Sequence, residues 1–243
     1  MSYLEVDAVS KAFGGIQALD KCSLVVERGT ITGLIGPNGS GKTTLFNVIT
    51  GFEFVDNGEI RSDGKVITGI KPNKIFGMGI GRTFQLTRIF PQLTALENMH
   101  VAFPRPVGTL LRRWDSDQEI RRTLDLLDFV NLIRYKDEPA GNLSYGQKKL
   151  LEFAIILVTQ PKMILLDEPA GGVNPTMINE LTRIIRELNS QQHITFLVVE
   201  HNMEFVMKLC QRVNVMHRGS KIAEGSPEEI QKNPAVLEAY LGA

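Results

Sequence analysis

Two cysteines in 243 residues, Cys22 and Cys210, are too few and too widely spaced for a disulfide framework, a metal site or a redox motif. They read as reduced, buried small residues of a cytosolic protein. The chain also lacks an excess of either charge: 27 Lys and Arg offset 27 Asp and Glu, so no overall field draws it to nucleic acid or anionic lipid. No internal repeat or low-complexity segment is present. No apolar run reaches membrane-spanning length, and Met1-Ser2-Tyr3-Leu4-Glu5-Val6-Asp7 has neither the basic start nor the apolar core of a signal peptide. The expectation is a cytosolic protein that meets a membrane only through something else. Its length suits one large α/β domain or two small ones, with a core of ordinary size.

What is present centres on Gly36-Pro37-Asn38-Gly39-Ser40-Gly41-Lys42-Thr43-Thr44, a match to the phosphate-binding pattern G-x-x-x-x-G-K-[ST]. Ile31-Thr32-Gly33-Leu34-Ile35 ahead of it suits a buried parallel strand. Leu45, Val48 and Ile49 behind it recur at helical spacing, and Gly51 stops the helix. In such a loop the glycines let backbone N–H groups turn towards phosphate oxygens, and the helix N-terminus adds partial positive charge. Lys42 then reaches the β- and γ-phosphates and the Thr43 hydroxyl serves Mg²⁺.

Two further buried strands are predicted to end on chemistry. Met163-Ile164-Leu165-Leu166 runs into Asp167-Glu168, and Ile194 through Val199 runs into Glu200-His201. In an open parallel sheet ligands bind outside the carboxyl ends of the strands. Asp167 is expected to hold Mg²⁺ through water, Glu168 to face the γ-phosphate and His201 to hydrogen-bond it. Gln85 closes a short strand from Ile80; its amide either ligates Mg²⁺ or orients a water, or is a solvated loop side chain. Leu143-Ser144-Tyr145-Gly146-Gln147 opens a helix with capping-box spacing between Ser144 and Gln147, and Gly146 leaves backbone N–H groups uncovered, a second candidate anion site. Its inward face is expected to carry Leu150, Leu151, Ala154, Ile155 and Val158.

The remaining segments complete the frame. Leu4, Val6 and Ala8 alternate with Glu5, Asp7 and Val9 as a half-buried strand, Leu24-Val25-Val26 forms another, and residues 58–67 form a hairpin turning at Asp63-Gly64. Phe13, in the glycine-bounded stretch 11–15, either stacks on a purine or packs in the core. From about 93 to 160 the chain reads as a mainly helical insert, with capping boxes at Thr94/Glu97 and Ser116/Glu119 and a stripe of Ile120, Leu124 and Leu127. Within it Pro104-Arg105-Pro106 breaks the chain, and Leu110 through Trp114 mixes apolar with basic residues. Asn174 and Pro175 cap another helix, and capped short helices begin at Ser226 and Asn233.

Taken in this order, the motifs resemble the ATP-binding subunit of ABC transporters over nearly the whole chain, with Leu143-Ser144-Tyr145-Gly146-Gln147 similar to that family's signature. The resemblance implies an α/β fold: a phosphate-loop ATPase with a RecA-like parallel-sheet core and an antiparallel β part at 1–92 and 161–243, and a helical subdomain at 93–160. It implies ATP and Mg²⁺ as ligands, with Phe13 stacking on adenine. Gly36, Asn38, Gly39, Ser40, Gly41, Lys42, Thr43 and Thr44 hold phosphate, and Ser144, Gly146 and Gln147 face a nucleotide across a dimer. Catalysis falls to Glu168, His201, Lys42 and Gln85, and metal binding to Thr43, Gln85 and Asp167. It further implies a second ATPase subunit, transmembrane permease subunits, an indirect link to a solute-binding protein, no nucleic acid, and a place on the inner face of the cell membrane. Arg82-Thr83-Phe84-Gln85, Ser144 through Gln147, Glu200-His201-Asn202-Met203 and the tail from Asn233-Pro234 to Tyr240-Leu241-Gly242 look like the branched-chain amino acid importer branch. Urea or amide importers and a lipopolysaccharide exporter have similar tails. Two residues depart from the commonest pattern: Tyr145 replaces a glycine of the signature, and Asn174 replaces an aspartate.

Overall fold

The computed structural model describes residues 1–83, 88–103 and 116–241. The expectations placed on Gln85, on 104–106, on 110–114 and on Gly242 lie outside the described residues. In chain order come β1 (Ser2–Phe13), β2 (Ile16–Glu27), β3 (Ile31–Ile35), α1 (Lys42–Ile49), β4 (Asn57–Ser62), β5 (Lys65–Val66), α2 (Pro72–Gly77) and β6 (Ile80–Arg82). There follow α3 (Ala95–Val101), α4 (Asp117–Phe129), α5 (Tyr145–Val158), β7 (Met163–Asp167), α6 (Pro175–Gln192) and β8 (Thr195–Val199). The chain closes with α7 (Met203–Leu209), β9 (Arg212–His217), β10 (Ser220–Gly225), α8 (Pro227–Gln231) and α9 (Pro234–Leu241).

The central sheet runs β10-β9-β3-β8-β7-β6, parallel from β9 to β6, with β10 antiparallel at one edge. Its middle strands are short and apolar because both faces are covered. Successive side chains point to opposite faces, so along β7 Met163 and Leu165 enter one core while Ile164 and Leu166 enter the other. One core is shared with α1 and the antiparallel sheet β2-β1-β4-β5; the other is shared with α5, α6 and α7. The phosphate-loop helix and the Ser144 helix therefore pack on opposite faces of the sheet.

Local signals account for most element ends. The capping boxes at Thr94, Ser116, Ser144 and Ser226 all form, and Asn174 caps α6 with Pro175 as its first residue. On the predicted stripe of α4, Leu127 is buried while Ile120 and Leu124 are half-buried, and Thr123 shares the inward face. Ile155 of α5 is likewise half-buried, beside the buried Leu150, Leu151, Ala154 and Val158.

The reading of β1 needs correction. Leu4 and Val6 are buried as expected, but Ala8 is exposed at φ 46° and Val9 takes the inward position. The register against β2 slips between Val6 and Val9, and against β4 between Asp7 and Ser10, which is a bulge. Both cysteines are free and buried, and burial pushes the thiol of Cys22 to about 11 and that of Cys210 to about 12, which keeps them unreactive. Among the described residues no helix is long and apolar enough to cross a membrane.

Candidate functional site

All five residues of β3 are buried, and residues 36–41 turn the chain from its end into α1. Gly41 is the N-cap at φ 101°, with no side chain capping the helix, so the first-turn N–H groups are available to an anion. Gly36 stands at φ 152°, where an added Cβ would lie 2.2 Å from the Met216 carbonyl oxygen on β9. Only glycine fits that approach. Lys42 Nζ donates to the carbonyls of Gly36 at 2.7 Å and Pro37 at 2.9 Å and reaches Ser40 Oγ at 3.4 Å. Burial pushes the Lys42 ammonium below the ordinary lysine value, and the carboxylates of Glu168 and Asp167 oppose this. The lysine thus feels both acids at the end of β7. Asn38, Gly39 and Thr43 are exposed, while Ser40 is buried.

Asp167, the last residue of β7, is buried and receives a hydrogen bond on Oδ2 from an Arg82 nitrogen at 2.9 Å. The other terminal nitrogen of Arg82 donates to Asn47 Oδ1 at 2.7 Å and Thr50 Oγ1 at 3.2 Å. Its guanidinium lies 5.5 Å from the Phe46 ring centroid and 5.9 Å from that of Phe52. Arg82 therefore joins β6 and β7 to α1 and its C-terminal end. From sequence it stood only inside the segment Arg82-Thr83-Phe84-Gln85 and was assigned no role of its own.

Glu168 follows Asp167 at φ 48°, an uncommon backbone state for a residue with a side chain. Its N–H donates to the Val199 carbonyl at 2.9 Å, and its Oε1 lies 3.7 Å from His201 Nδ1. Adjacent strands β7 and β8 thus deliver the acid and the histidine side by side. Lys149, buried on α5, donates to the carbonyls of Glu168 at 2.9 Å and Pro169 at 3.2 Å. Neither Lys149 nor Glu200 was assigned a role from sequence, since nothing local to α5 or β8 tells which turn each will meet.

Four other predicted positions stand apart. Ser144 caps α5, its Oγ accepting from the Gln147 N–H at 3.3 Å while Gln147 Oε1 accepts from the Ser144 N–H at 2.8 Å. Both side chains act as acceptors in the cap, which leaves the Ser144 O–H and the Gln147 NH₂ as donors; Ser144 is exposed and Gly146 half-buried. Phe13 is the last residue of β1, directly before the Gly14-Gly15 turn and not in a loop, is 44% exposed, and has Lys11 Nζ 5.2 Å from its ring centroid. A flat aromatic face in the open can stack a base. Among the described residues no group of three or more His, Cys, Asp or Glu stands together to hold a metal. The Thr43 hydroxyl and the Asp167 carboxylate are oxygen donors, the kind Mg²⁺ takes when phosphate and water complete its shell.

A glycine loop between a buried parallel strand and a helix, with two acids closing a neighbouring strand, defines a phosphate-loop nucleotide-binding protein. Comparison with known proteins narrows this. Residues 19–171 match the ABC transporter family, and residues 220–243 match the branched-chain amino acid ATP-binding cassette transporter family. The high-affinity branched-chain amino acid transport ATP-binding protein BraF of Pseudomonas aeruginosa is 40% identical over 248 residues, covering 98% of this chain and 97% of its own length. The ADP conformation of an ATP-binding cassette of an ABC transporter superposes at a TM-score of 0.89, with 36% identity and full coverage of both chains. A cassette solved as a dimer in a post-hydrolysis state with ADP and Pi superposes at 0.79, with 26% identity over 92% of this chain and 98% of its own. The chain belongs to the ABC transporter family, among the branched-chain amino acid transport ATP-binding proteins. ATP hydrolysis coupled to transport goes with that membership.

Proposed function

We propose that this chain is the energising subunit of an importer of branched-chain or other amino acids, working as one half of a head-to-tail pair of cassettes. The observation that carries the hydrolytic reading is the meeting of Glu168 and His201 at 3.7 Å, with Glu168 and Asp167 the two acids that Lys42 feels. Glu168 polarises the attacking water, and Lys42 and His201 stabilise charge on the γ-phosphoryl group. Thr43 and, through water, Asp167 would hold Mg²⁺, which would supply neutralisation of the phosphate charge. Phe13 stacks on adenine. Gln85 contributes to catalysis and metal binding where the chain meets its membrane partner.

In this reading the N-termini of α1 and α5, helices that pack on opposite faces of the sheet, meet one triphosphate across a pair of cassettes. A second cassette, identical or paralogous, supplies Ser144, Gly146 and Gln147 to the nucleotide held by the first. Loss of the γ-phosphate removes charge-assisted hydrogen bonds from one face, and the pair opens. Permease subunits dock where Phe52 and Phe76 stand exposed beside Arg82 around a groove of about 270 Å³. The helical segment 93–160 moves with them as a subdomain, a solute-binding protein acts from the far side of the membrane, and the cassette stays cytoplasmic on the inner face.

Purification from native membranes tests the assignment. Two multi-spanning proteins in the complex, and ATP turnover in vesicles stimulated by leucine, isoleucine or valine, are expected. Stimulation by urea or an amide instead moves the chain to a sibling importer, and recovery of RNA or DNA in place of membrane proteins overturns the transport reading.

A further inference from the structure

We propose that Glu200 is a positioning residue for hydrolysis: its buried carboxylate ties the turn that carries Glu168 to the turn that carries His201. The inference rests on the roles given above to those two residues. Glu200 directly follows β8 and is 1% exposed. Its Oε1 accepts from the Ala170 N–H at 2.7 Å, two residues beyond Glu168. Its Oε2 accepts from the N–H of His201 at 3.0 Å and of Asn202 at 3.1 Å. One carboxylate thus takes three backbone donors from two separate turns, and each bond is charge-assisted in a water-poor place.

The surroundings hold both turns from their other sides. Asn202 is fixed as the N-cap of α7, its Oδ1 accepting from the Phe205 N–H at 3.1 Å, so His201 stands between two anchors. Lys149 grips the carbonyls of Glu168 and Pro169. Burial pushes its ammonium below the ordinary lysine value, and the carboxylates of Glu200, Glu152, Glu168 and Asp167 oppose this, Glu200 most. The buried negative charge of Glu200 therefore has a cationic neighbour that holds the same turn. An ordinary core residue at this position would leave three backbone donors unmet. An amide does not substitute, because it offers one acceptor oxygen and turns an NH₂ towards N–H groups. A strand-end residue with no catalytic consequence needs none of this division of its two oxygens between the turns.

The test compares Glu200→Gln with the unaltered full-length chain, alone and in the Glu168→Gln background, by ATPase kinetics, MgATP binding and thermal unfolding. Expected is a fall in kcat of about tenfold or more, since small misplacements of catalytic groups are that costly, with KM and nucleotide affinity within about twofold. In the Glu168→Gln background the same substitution is expected to cost a clearly smaller fold-loss than in the single variant, because one of the two groups it positions is already gone and only the placing of His201 is left to lose. Wild-type kcat in the single variant, an equal fold-loss in both backgrounds, or a rise in KM matching the loss in kcat overturns the inference. If Glu168→Gln turns over normally, the assignment of Glu168 falls and this inference falls with it. If Glu168→Gln is inactive and Glu200→Gln is not, only this inference falls. Should Glu200→Gln prove insoluble, Glu200→Asp serves in its place, its shorter reach spanning one turn but not both, with the same expected split and the same overturning results.

Discussion

Arg82 and Asp167 form an ion pair at 2.9 Å with both side chains more than nine-tenths buried. Burial pushes the guanidinium below its ordinary value, and the hydrogen bond to Asp167 restores part of the difference. A buried pair adds little net stability over apolar packing, but removing one partner strands the other charge. Arg82→Met is therefore expected to lower unfolding stability by about 3 kcal/mol. Adding Asp167→Asn should recover part of the loss, because the stranded charge is then absent. Denaturant unfolding of the two single variants and the double variant measures this coupling, and strictly additive losses would refute it.

Glu168 offers the sharpest kinetic contrast. Glu168→Gln keeps the shape of the side chain and its turn but loses the negative charge that polarises water. Turnover should fall by roughly a hundredfold or more while MgATP binding is unchanged. Single-turnover hydrolysis and equilibrium nucleotide binding on the same preparation separate the two effects, and near-normal hydrolysis would take the role away from Glu168.

These residues differ in how visible they were before folding. Lys42 and Thr43 belong to a motif whose glycines, strand and helix are contiguous, and Asp167-Glu168 sits at the end of a run of apolar residues, so periodicity and motif were enough. Ser144 and Asn174 were legible for the same reason, since a cap depends on residues three apart. Arg82 was not, because its partners Asn47, Thr50 and Asp167 are up to 85 positions away and reach it only through sheet order. The bulge at Ala8 was hidden too. It is set by the partner strands, where the backbone of Gly58 on β4 packs against residues 7–9 so closely that a Cβ would lie 2.5 Å from the Ala8 carbonyl oxygen. Short α2 was passed over although Pro72 stands at its first turn, as that position favours.

Gly36→Ala tests the fit of the phosphate loop. The added methyl meets the Met216 carbonyl at 2.2 Å on a backbone at φ 152°, so the loop or β9 has to move. The substitution is expected to abolish measurable MgATP binding at concentrations that saturate the natural chain, because loop N–H groups no longer converge on phosphate. Far-ultraviolet dichroism should stay near that of the natural chain, since the sheet does not depend on this loop. Retained affinity would mean that the loop tolerates the methyl and that the close approach is not required.

Asp56 pins the strand end that presents Phe13. Its carboxylate accepts from the Ala12 N–H at 2.7 Å and from Lys11 Nζ at 3.2 Å, and these two bonds hold the carboxyl below its ordinary value, the backbone bond contributing most. A carboxyl whose value is lower in the folded chain contributes stability above its unfolded value of about 4 and loses that contribution as pH falls through the folded value. Asp56→Asn keeps an acceptor for Ala12 but has no charge to titrate. The stability gap between the natural chain and Asp56→Asn, read by urea unfolding across a pH series, is therefore expected to be constant near neutrality and to shrink on acidification below about 4. A gap that widens in acid would have the wrong sign for this linkage. Binding of ATP, compared at neutral pH, should weaken in Asp56→Asn by less than in Phe13→Ala, because the first change loosens the strand end while the second removes the ring that stacks.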